Sequence, residues 1–239
     1  MAKSKVNKSK SQLLFQSPYE RTTRDTWLIF KIMSEFVDGF ELLKPAANAV
    51  SIFGSARFTP KSPYWKMAEK VSYAITAAGL SLISGGGPGL MEASNRGARR
   101  GILQFKKKMP KKDFPLSVGL SIQLPHESEP NKFLDLEVNF KYFFVRKVMF
   151  AKYARAFVIL PGGFGTLDEL FEALTLIQTH KVQRVPIILM GRKYWSGLMA
   201  WIETTLVKEK SINSKDLELI QITDDPDEVV RIIKKFKVS

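Results

Sequence analysis

The segment Pro161-Gly162-Gly163-Phe164-Gly165-Thr166-Leu167-Asp168-Glu169 decides how this chain folds. The apolar run Ala156-Phe157-Val158-Ile159-Leu160 precedes it and predicts a buried strand. Apolar residues at helical spacing follow from Leu170, so the predicted unit is strand, glycine turn and helix. Because the glycines carry no side chains, backbone N–H groups are bare at this turn, and the helix N-terminus adds a positive dipole end. We interpret the segment as a ligand loop that binds a phosphate.

A purely structural interpretation of the same segment is also available. Thr166 and Glu169 have the spacing of a capping box, in which both side chains satisfy backbone donors at the start of a helix. That interpretation explains neither the three glycines in four positions nor Pro161 ahead of them. We therefore favour the ligand loop, since sites in parallel sheets lie at strand ends.

Composition excludes several classes of protein. The chain has 239 residues with ordinary hydrophobic (45%) and charged (25%) content, and no stretch reaches the ~20 apolar residues of a membrane span. The lysines at the N-terminus have no apolar segment behind them, so we expect no secretory signal, a cytoplasmic location and no membrane partner. There are no cysteines, which excludes disulfides and thiolate chemistry, and with only His126 and His180 we expect no metal site.

The net charge of +14 is clustered in two segments. Lysines recur through residues 1–17, which we expect to be a disordered basic tail. Seven cations crowd residues 99–112 before the first acid, Asp113. We interpret the second cluster as a solvated loop. Nucleic acid is the alternative partner, but we do not favour it because no aromatic residues alternate with the cations. A further alternative is that the basic segments only recruit an enzyme to RNA or to a membrane.

Strands and helices alternate almost throughout the chain. A helix over about residues 19–43 carries a wide apolar face, which packs either on the main domain or on a second subunit. Apolar runs predict strands over about residues 49–53, 80–83, 116–122, 136–140, 156–160, 185–190 and 219–222. Helices are predicted over about residues 63–78, 90–98 and 142–153, from the end of the glycine turn to about residue 180, over 195–208 and after Asp225. The pattern indicates an α/β fold, a doubly wound Rossmann-like parallel sheet, as a single domain over residues 46–239 with an N-terminal helical extension at 18–45.

A second glycine loop, Ser84-Gly85-Gly86-Gly87-Pro88-Gly89, follows another predicted strand. Two such loops at the carboxyl ends of strands predict one cleft with two walls. The second loop does not fit the dinucleotide fingerprint, because Leu90 stands where its last glycine belongs, and no Walker sequence exists in the chain. The loops therefore suit a single phosphate group, as in a mononucleotide or a sugar phosphate.

These motifs resemble a known family. Residues 161–169 are similar to the Pro-Gly-Gly-x-Gly-Thr-x-x-Glu signature of the LONELY GUY family, the nucleotide 5′-monophosphate phosphoribohydrolases first tied to cytokinin activation. Residues 84–91 resemble the family's other loop, and Arg146-Lys147 resembles its Arg-Lys pair. The resemblance covers about residues 49–208 and is closer to the longer bacterial members.

The resemblance implies hydrolysis of the N-glycosidic bond of AMP or of a cytokinin riboside monophosphate, without a cofactor, in a homodimer or larger homo-oligomer. It implies that Arg146 and Glu169 are catalytic. The substrate-binding residues that it implies are Gly54, Ser55, Gly86, Gly87, Gly89, Met91, Glu127, Lys147, Gly162, Gly163, Phe164, Gly165, Thr166, Leu167, Asp168 and Thr175.

Two other functions compete with this one. Family members have often been labelled lysine decarboxylases, and His180-Lys181 superficially resembles a pyridoxal phosphate-binding pair, but a helix end commonly carries basic side chains. The stronger alternative is a non-catalytic protein of the same fold that binds a nucleotide or nucleic acid. Binding to nucleic acid would weaken steeply with salt, which distinguishes it from catalysis.

Overall fold

The computed structural model describes residues 24–123 and 129–236. Its helices are α1 (Arg24–Leu43), α2 (Pro63–Ala77), α3 (Leu90–Lys108), α4 (Phe143–Tyr153), α5 (Phe164–Gln178), α6 (Arg192–Trp201) and α7 (Pro226–Lys235). Its strands are β1 (Ala49–Phe53), β2 (Leu82–Ser84), β3 (Ser117–Ile122), β4 (Leu136–Phe140), β5 (Ala154–Ile159), β6 (Ile187–Met190) and β7 (Ile220–Thr223). In these two ranges, no helix combines the length and the apolar character needed to cross a membrane.

The seven strands form one sheet in the order β4-β3-β2-β1-β5-β6-β7. Every neighbouring pair is parallel, which confirms the predicted doubly wound class. The chain leaves β1 toward β2 on one side and leaves β5 toward β6 on the other. The strand order therefore reverses between β1 and β5, and a crevice opens beyond the carboxyl ends of these two strands.

The sheet separates two apolar cores. One face packs against α1, α4 and α5, with Met149, Phe150 and Leu170 among its buried side chains. The other face packs against α2, α3 and α7. Because both faces are covered, the central strands are apolar throughout, and β1 and β6 are buried at every position.

Two glycines let α3 pack closely against α2. A Cβ at Gly97 would stand 2.2 Å from the carbonyl oxygen of Glu69, and one at Gly101 would stand 2.4 Å from that of Tyr73. Any larger residue at either position would push the helices apart. This contact fixes α3, which begins at the second glycine loop.

The structure corrects one sequence-based boundary. The helix predicted over residues 90–98 continues to Lys108, so Lys106, Lys107 and Lys108 form its last turn instead of a loop. The lysines suit that position because cations stabilise the negative end of the helix dipole. Only the lysines after Met109 lie in the connection to β3. The predicted basic tail lies outside the described residues.

Candidate active site

Loops from three adjacent strands meet at the crevice. The Ser55 N–H, after β1, donates to the Pro161 carbonyl, after β5, at 3.1 Å. The Ser55 carbonyl in turn accepts from the N–H of Leu90, after β2, at 2.9 Å. Gly89 permits this approach because its φ is +70° and a Cβ there would stand 2.4 Å from the Ser55 oxygen. The cleft beyond these loops encloses about 1100 Å³.

The first glycine loop ends in the N-terminus of α5. The N–H groups of Phe164 and Gly165 have no acceptor in the described part of the chain, and a side chain added at Gly163 or Gly165 would meet open space. Free donors and the helix dipole together suit an anion. Gly162 is tightly constrained instead, since a Cβ there would stand 2.1 Å from the Thr166 hydroxyl oxygen.

The capping-box interpretation of this loop is wrong. The helix begins at Phe164, with Gly163 as its N-cap, and no side chain caps it. Thr166 lies buried inside the first turn, and its N–H donates to the Gly163 carbonyl at 3.0 Å. Glu169 is therefore free of a capping role and lines the cleft.

A buried polar network shapes the second glycine loop. The Asn131 side-chain amide donates to the carbonyls of Gly86, at 2.9 Å, and Gly87, at 3.1 Å, and to the Asn95 side-chain oxygen at 3.0 Å. The Ser84 hydroxyl binds the same Asn95 oxygen and accepts from the Gly86 N–H. These contacts satisfy the carbonyls of Gly86 and Gly87 and fix the conformation of the loop beside the cleft.

Arg146 is held at the cleft wall by α4. Its Nε donates to the Leu120 carbonyl of β3 at 2.7 Å, and its guanidinium lies 5.2 Å from the centroid of the Phe150 ring. Burial lowers the pKa of the guanidinium, while the nearby Glu169 carboxylate raises it. The absence of a side chain at Gly85 makes room for this arginine, since a Cβ there would stand 2.7 Å from Nη2 of Arg146.

Glu169 is a half-buried carboxyl group with an unusual pKa. Burial raises its pKa to about 7, and the positive charges of Lys147 and Arg146 oppose that rise. The carboxylates of Glu172 and Asp168 act in the same direction as burial. A carboxyl group that titrates near neutral pH can accept a proton at physiological pH, as a general base must.

Lys147 faces away from the cleft. It forms an ion pair with Asp168 at 2.8 Å and a second one with Glu172. Although burial acts in the opposite direction, hydrogen bonds to these two acids raise the pKa of Lys147. Its effect on the cleft is electrostatic, through the neighbouring Glu169.

The structure gathers most of the predicted residues around one cleft. The lining contains Gly54, Ser55, Gly86, Gly87, Met91, Arg146, Gly162, Gly163, Phe164, Gly165, Thr166, Leu167 and Glu169. Gly89, Lys147, Asp168 and Thr175 lie outside that lining, and Thr175 donates to the Phe171 carbonyl within its own helix. Glu127 lies outside the described residues. The roles assigned to all of these residues remain predictions.

The cleft also contains polar residues that the motifs did not indicate. Glu137 and Asn139 of β4 lie on one wall, where Glu137 accepts a hydrogen bond from Ser121 at 2.8 Å. Tyr194 of α6 closes the opposite side and donates to the Gly162 carbonyl at 2.8 Å. Asn139 near the carboxyl end of β4 and Tyr194 just beyond β6 have the position expected of site residues, whereas Glu137 near the start of β4 has no such sequence signal. Among the described residues, no group of three or more His, Asp or Glu side chains could hold a metal ion.

The fold and the cleft define a doubly wound α/β protein with its candidate site at the topological switch point. A family model described as "Possible lysine decarboxylase" matches residues 91–233. The chain therefore belongs to this family, and the resemblance to LONELY GUY proteins is confirmed.

Relatives with assigned names match over most of the chain. The cytokinin riboside 5′-monophosphate phosphoribohydrolase LOG3 of Arabidopsis thaliana is 27% identical over 84% of this chain and 88% of its own length. The pyrimidine/purine nucleotide 5′-monophosphate nucleosidase of Escherichia coli (strain K12) is 29% identical over 70% of this chain but only 36% of its own length.

Solved structures share the fold at lower identity. The molybdenum cofactor binding protein of Rippkaea orientalis matches with a TM-score of 0.54 and 19% identity, over 79% of this chain and 96% of that protein. At this identity the likeness supports the architecture alone.

We expect Gly85→Ala to impair the site while sparing the fold. An added methyl group would meet the Arg146 guanidinium and the Met91 sulfur, which stands 2.6 Å from the Cβ position. Both neighbours are ends of flexible side chains, so they move aside and Arg146 leaves its position. Turnover of a nucleoside monophosphate should fall at least about 10-fold, since catalytic groups need near-contact placement.

The matched control is Gly197→Ala, because a Cβ at Gly197 in α6 meets nothing within 4 Å. It should keep full turnover, and thermal unfolding of both variants should stay close to that of the unmodified protein. Unchanged turnover in Gly85→Ala would show that the observed position of Arg146 is not needed.

Proposed function

We propose that this protein hydrolyses the N-glycosidic bond of nucleoside 5′-monophosphates and releases a free base and ribose 5-phosphate. One observation carries the proposal: Glu169, a carboxyl group with a pKa near 7, lines the same cleft as Arg146 and the bare start of α5. The names of the relatives, phosphoribohydrolase and nucleotide nucleosidase, support this reaction.

The substrate phosphate binds at the N-terminus of α5. Phe164 and Gly165 offer backbone N–H groups without protein acceptors there, and the dipole of α5 favours a dianion. The loop formed by Gly86 and Gly87 closes the other side of the cleft. The phosphate thereby fixes the ribose relative to Glu169, which lies one helical turn further along α5.

Glu169 acts on the water and on the sugar. Its carboxylate accepts a proton from water, whose oxygen bonds to the anomeric carbon while the carbon–nitrogen bond to the base breaks. The departing base nitrogen gains a proton, so that one water molecule is consumed in each turnover. The sugar carries positive charge in the transition state, as in glycoside hydrolysis, and the neighbouring carboxylate stabilises that charge.

Arg146 fixes the geometry around Glu169. Its hydrogen bond to the Leu120 carbonyl holds the guanidinium at the wall. From there it stabilises the ionised form of Glu169, whose pKa it lowers. It also presents N–H donors to the departing base.

Decarboxylation of lysine, which the family description suggests, fits the structure less well. His180 and Lys181 follow the end of α5, whereas the cleft lies at the start of that helix. The two residues therefore lie near the amino ends of the strands, whereas the cleft lies beyond the carboxyl ends, so both are remote from Glu169.

The first test is product analysis with a panel of nucleoside monophosphates that includes AMP and a cytokinin riboside monophosphate. We expect free base and ribose 5-phosphate from at least one of them. Glu169→Gln should lower kcat by roughly 100-fold or more, as loss of a general base does, while nucleotide binding persists.

A folded protein that binds nucleotides but releases no base from any member of the panel would refute the hydrolase proposal. That result would favour the non-catalytic binding protein. Calorimetric titration with each nucleotide distinguishes the two outcomes, because binding is measured separately from turnover.

The pKa of Glu169 predicts how activity depends on pH. Since the ionised carboxylate is the active form, kcat/KM should rise about ten-fold per pH unit below pH 7 and level off above it. The substrate phosphate ionises near pH ~6 and affects the same range, so a variant must identify the group. Lys147→Met removes a charge that lowers the pKa of Glu169, and it should move the midpoint to higher pH.

The free energy of unfolding should fall over the pH range in which kcat/KM rises. A folded-state pKa above the unfolded one means that protonation favours folding, so stability falls between pH 4.5 and 7 as Glu169 ionises. The loss amounts to roughly 3 kcal/mol at most. Glu169→Gln should therefore raise the melting temperature at pH 8 but not at pH 4. For the activity profile, a midpoint of kcat/KM against pH that Lys147→Met leaves unchanged would contradict the assignment to Glu169.

We also infer that the protein associates with a second copy through α1. One stripe of this helix, including Ile32 and Phe36, packs on the core. A second stripe, formed by Trp27, Phe30 and Met33, is more than half exposed. Exposed apolar surface of this extent on a helix is typical of an interaction site.

Sedimentation velocity tests the role of this stripe. We expect a homodimer or a larger assembly, and Phe30→Glu should shift it toward the monomer because a charge would be buried at the interface. Leu103→Glu on α3 is the matched control, since both side chains are 58% exposed. Equal assembly of the two variants would show that α1 is not the interface.

A further inference from the structure

The basic cluster of the sequence lies far from the candidate active site. Helix α3 starts at Leu90, beside the cleft, and runs back along the sheet to Lys108. The amino ends of all the parallel strands lie on one side of the molecule, which we call the amino edge of the sheet, and the opposite side is the carboxyl edge. The chain enters β3 at the amino edge, so five lysines stand there: Lys106, Lys107, Lys108, Lys111 and Lys112. The cleft stands at the carboxyl edge. These charges are too remote to contact a nucleotide bound there, so binding of that nucleotide does not account for them.

These lysines, which we call the basic edge, are free of acidic partners. All five are exposed, and none forms an ion pair with any residue of the two described ranges. The cations earlier on the same helix differ, because Arg96 pairs with Glu69 and Arg99 pairs with Asp135. In α3 and the connection that follows it, the cations without an acidic partner are therefore these five lysines and Arg100, which lies over the Tyr73 ring.

The topology brings more cations to the same side. In a parallel sheet, every helix returns its C-terminal end to the amino edge, so the connections into β6 and β7 and the end of α7 also lie there. The exposed cations of these segments are Lys181, Arg184, Lys208, Lys210, Lys215, Lys234 and Lys235. The acids of the same segments and of the connection into β3 are Asp113, Glu209, Asp216 and Glu218. Positive charge therefore predominates in these segments, on the same side of the molecule as the basic edge.

Apolar side chains stand among these lysines. Leu103 is 58% exposed, Met109 is 45% exposed and Phe114 is 44% exposed. Met109 ends α3 and has two lysines beside it in sequence on the helix side and, after Pro110, two on the loop side. The exposed Met109 side chain is therefore an apolar group flanked by positive charges.

We propose that the basic edge is a docking surface for a membrane containing anionic lipids, with Met109 entering the headgroup layer. Clusters of this number of lysines bind anionic bilayers through their surface potential, and neighbouring apolar side chains add burial at the interface. The sequence alone led us to expect a solvated loop and no membrane partner. The proposal departs from that expectation on the ground that the structure gathers unpaired lysines and exposed apolar groups on one side.

The chemistry of this surface favours a bilayer over nucleic acid. Its two aromatic rings are covered by cations, with Lys106 at 4.4 Å from the Phe114 centroid and Arg100 at 5.9 Å from the Tyr73 centroid. One face of each ring is therefore occupied by a cation and closed to stacking with bases. The free cations are lysines, whereas bidentate binding of phosphates favours arginine. Apolar groups such as Met109 gain nothing from a phosphate backbone.

Docking in this orientation leaves the cleft open to water. The carboxyl edge then faces away from the membrane, so a soluble ligand reaches Glu169 without obstruction. The proposal does not depend on the reaction proposed above, because no residue of the basic edge lines the cleft.

Vesicle flotation with the full-length protein tests the proposal. We expect binding to phosphatidylcholine vesicles that contain about 30% phosphatidylserine, and much weaker binding to pure phosphatidylcholine vesicles. Binding should weaken when salt rises from about 0.1 M to about 0.5 M, as screening requires. Replacing the five lysines of the basic edge with glutamine should weaken partitioning on the order of 1000-fold, at about five-fold per lysine.

A matched control separates this surface from net charge. Replacing Lys31, Lys61, Lys66, Lys70 and Lys141 with glutamine removes the same charge from dispersed exposed positions. This variant should bind vesicles far better than the basic-edge variant, and Met109→Asp should bind less well than the unmodified protein.

Three results would overturn the proposal. The first is equal loss of binding in the two five-lysine variants, which would assign the effect to net charge alone. The second is no preference for phosphatidylserine. The third is tight binding of a duplex or single-stranded oligonucleotide through the same lysines while vesicles remain unbound, which would assign the surface to nucleic acid.

Discussion

The structure depends on one close approach of backbones, where Gly89 meets Ser55. No residue with a Cβ fits there, since that atom would overlap the Ser55 carbonyl, and the positive φ of Gly89 is unfavourable for other residues. The contact joins the loop after β2 to the loop after β1, and the Ser55 N–H extends the connection to the loop after β5. Three loops that are distant in sequence thereby become one rigid wall. A site built on such a wall keeps its donors fixed before any ligand arrives, which reduces the entropic cost of binding.

The same packing explains why an acid titrates near neutral pH at this position. Glu169 emerges from the first turns of α5, whose other face is held in the core by Leu170. The helix cannot move the carboxyl group out into water, so desolvation outweighs the attraction of Lys147 and Arg146. Asp168, its neighbour in sequence, points outward and pairs with Lys147 instead. Two adjacent acids therefore acquire different properties because the helix turns one of them inward.

Sequence patterns predicted the framework well because its signals are local. Apolar and alternating runs indicated all seven strands, and β1 and β4 begin and end where they were predicted. The end of α3 was missed because its last turn consists of lysines, which carry no periodic apolar signal. Asn131 and Tyr194 were missed for another reason: they reach the glycine loops from distant parts of the chain. Contacts of that kind are created by the fold and have no signature in local sequence.

The parallel sheet also explains why the backbone donors of the cleft and the exposed lysine side chains lie at opposite ends of the strands. Helix starts gather at the carboxyl edge, where bare N–H groups and dipoles already favour anions without any lysine. Helix ends gather at the amino edge, where lysines stabilise the last turns and remain exposed. In the proposed site, recognition of an anion rests mainly on the backbone, which is selective in geometry and weakly sensitive to the net charge of the protein. The side-chain charge at the amino edge is consequently free to vary for a second purpose, because changing it leaves the geometry of the cleft intact.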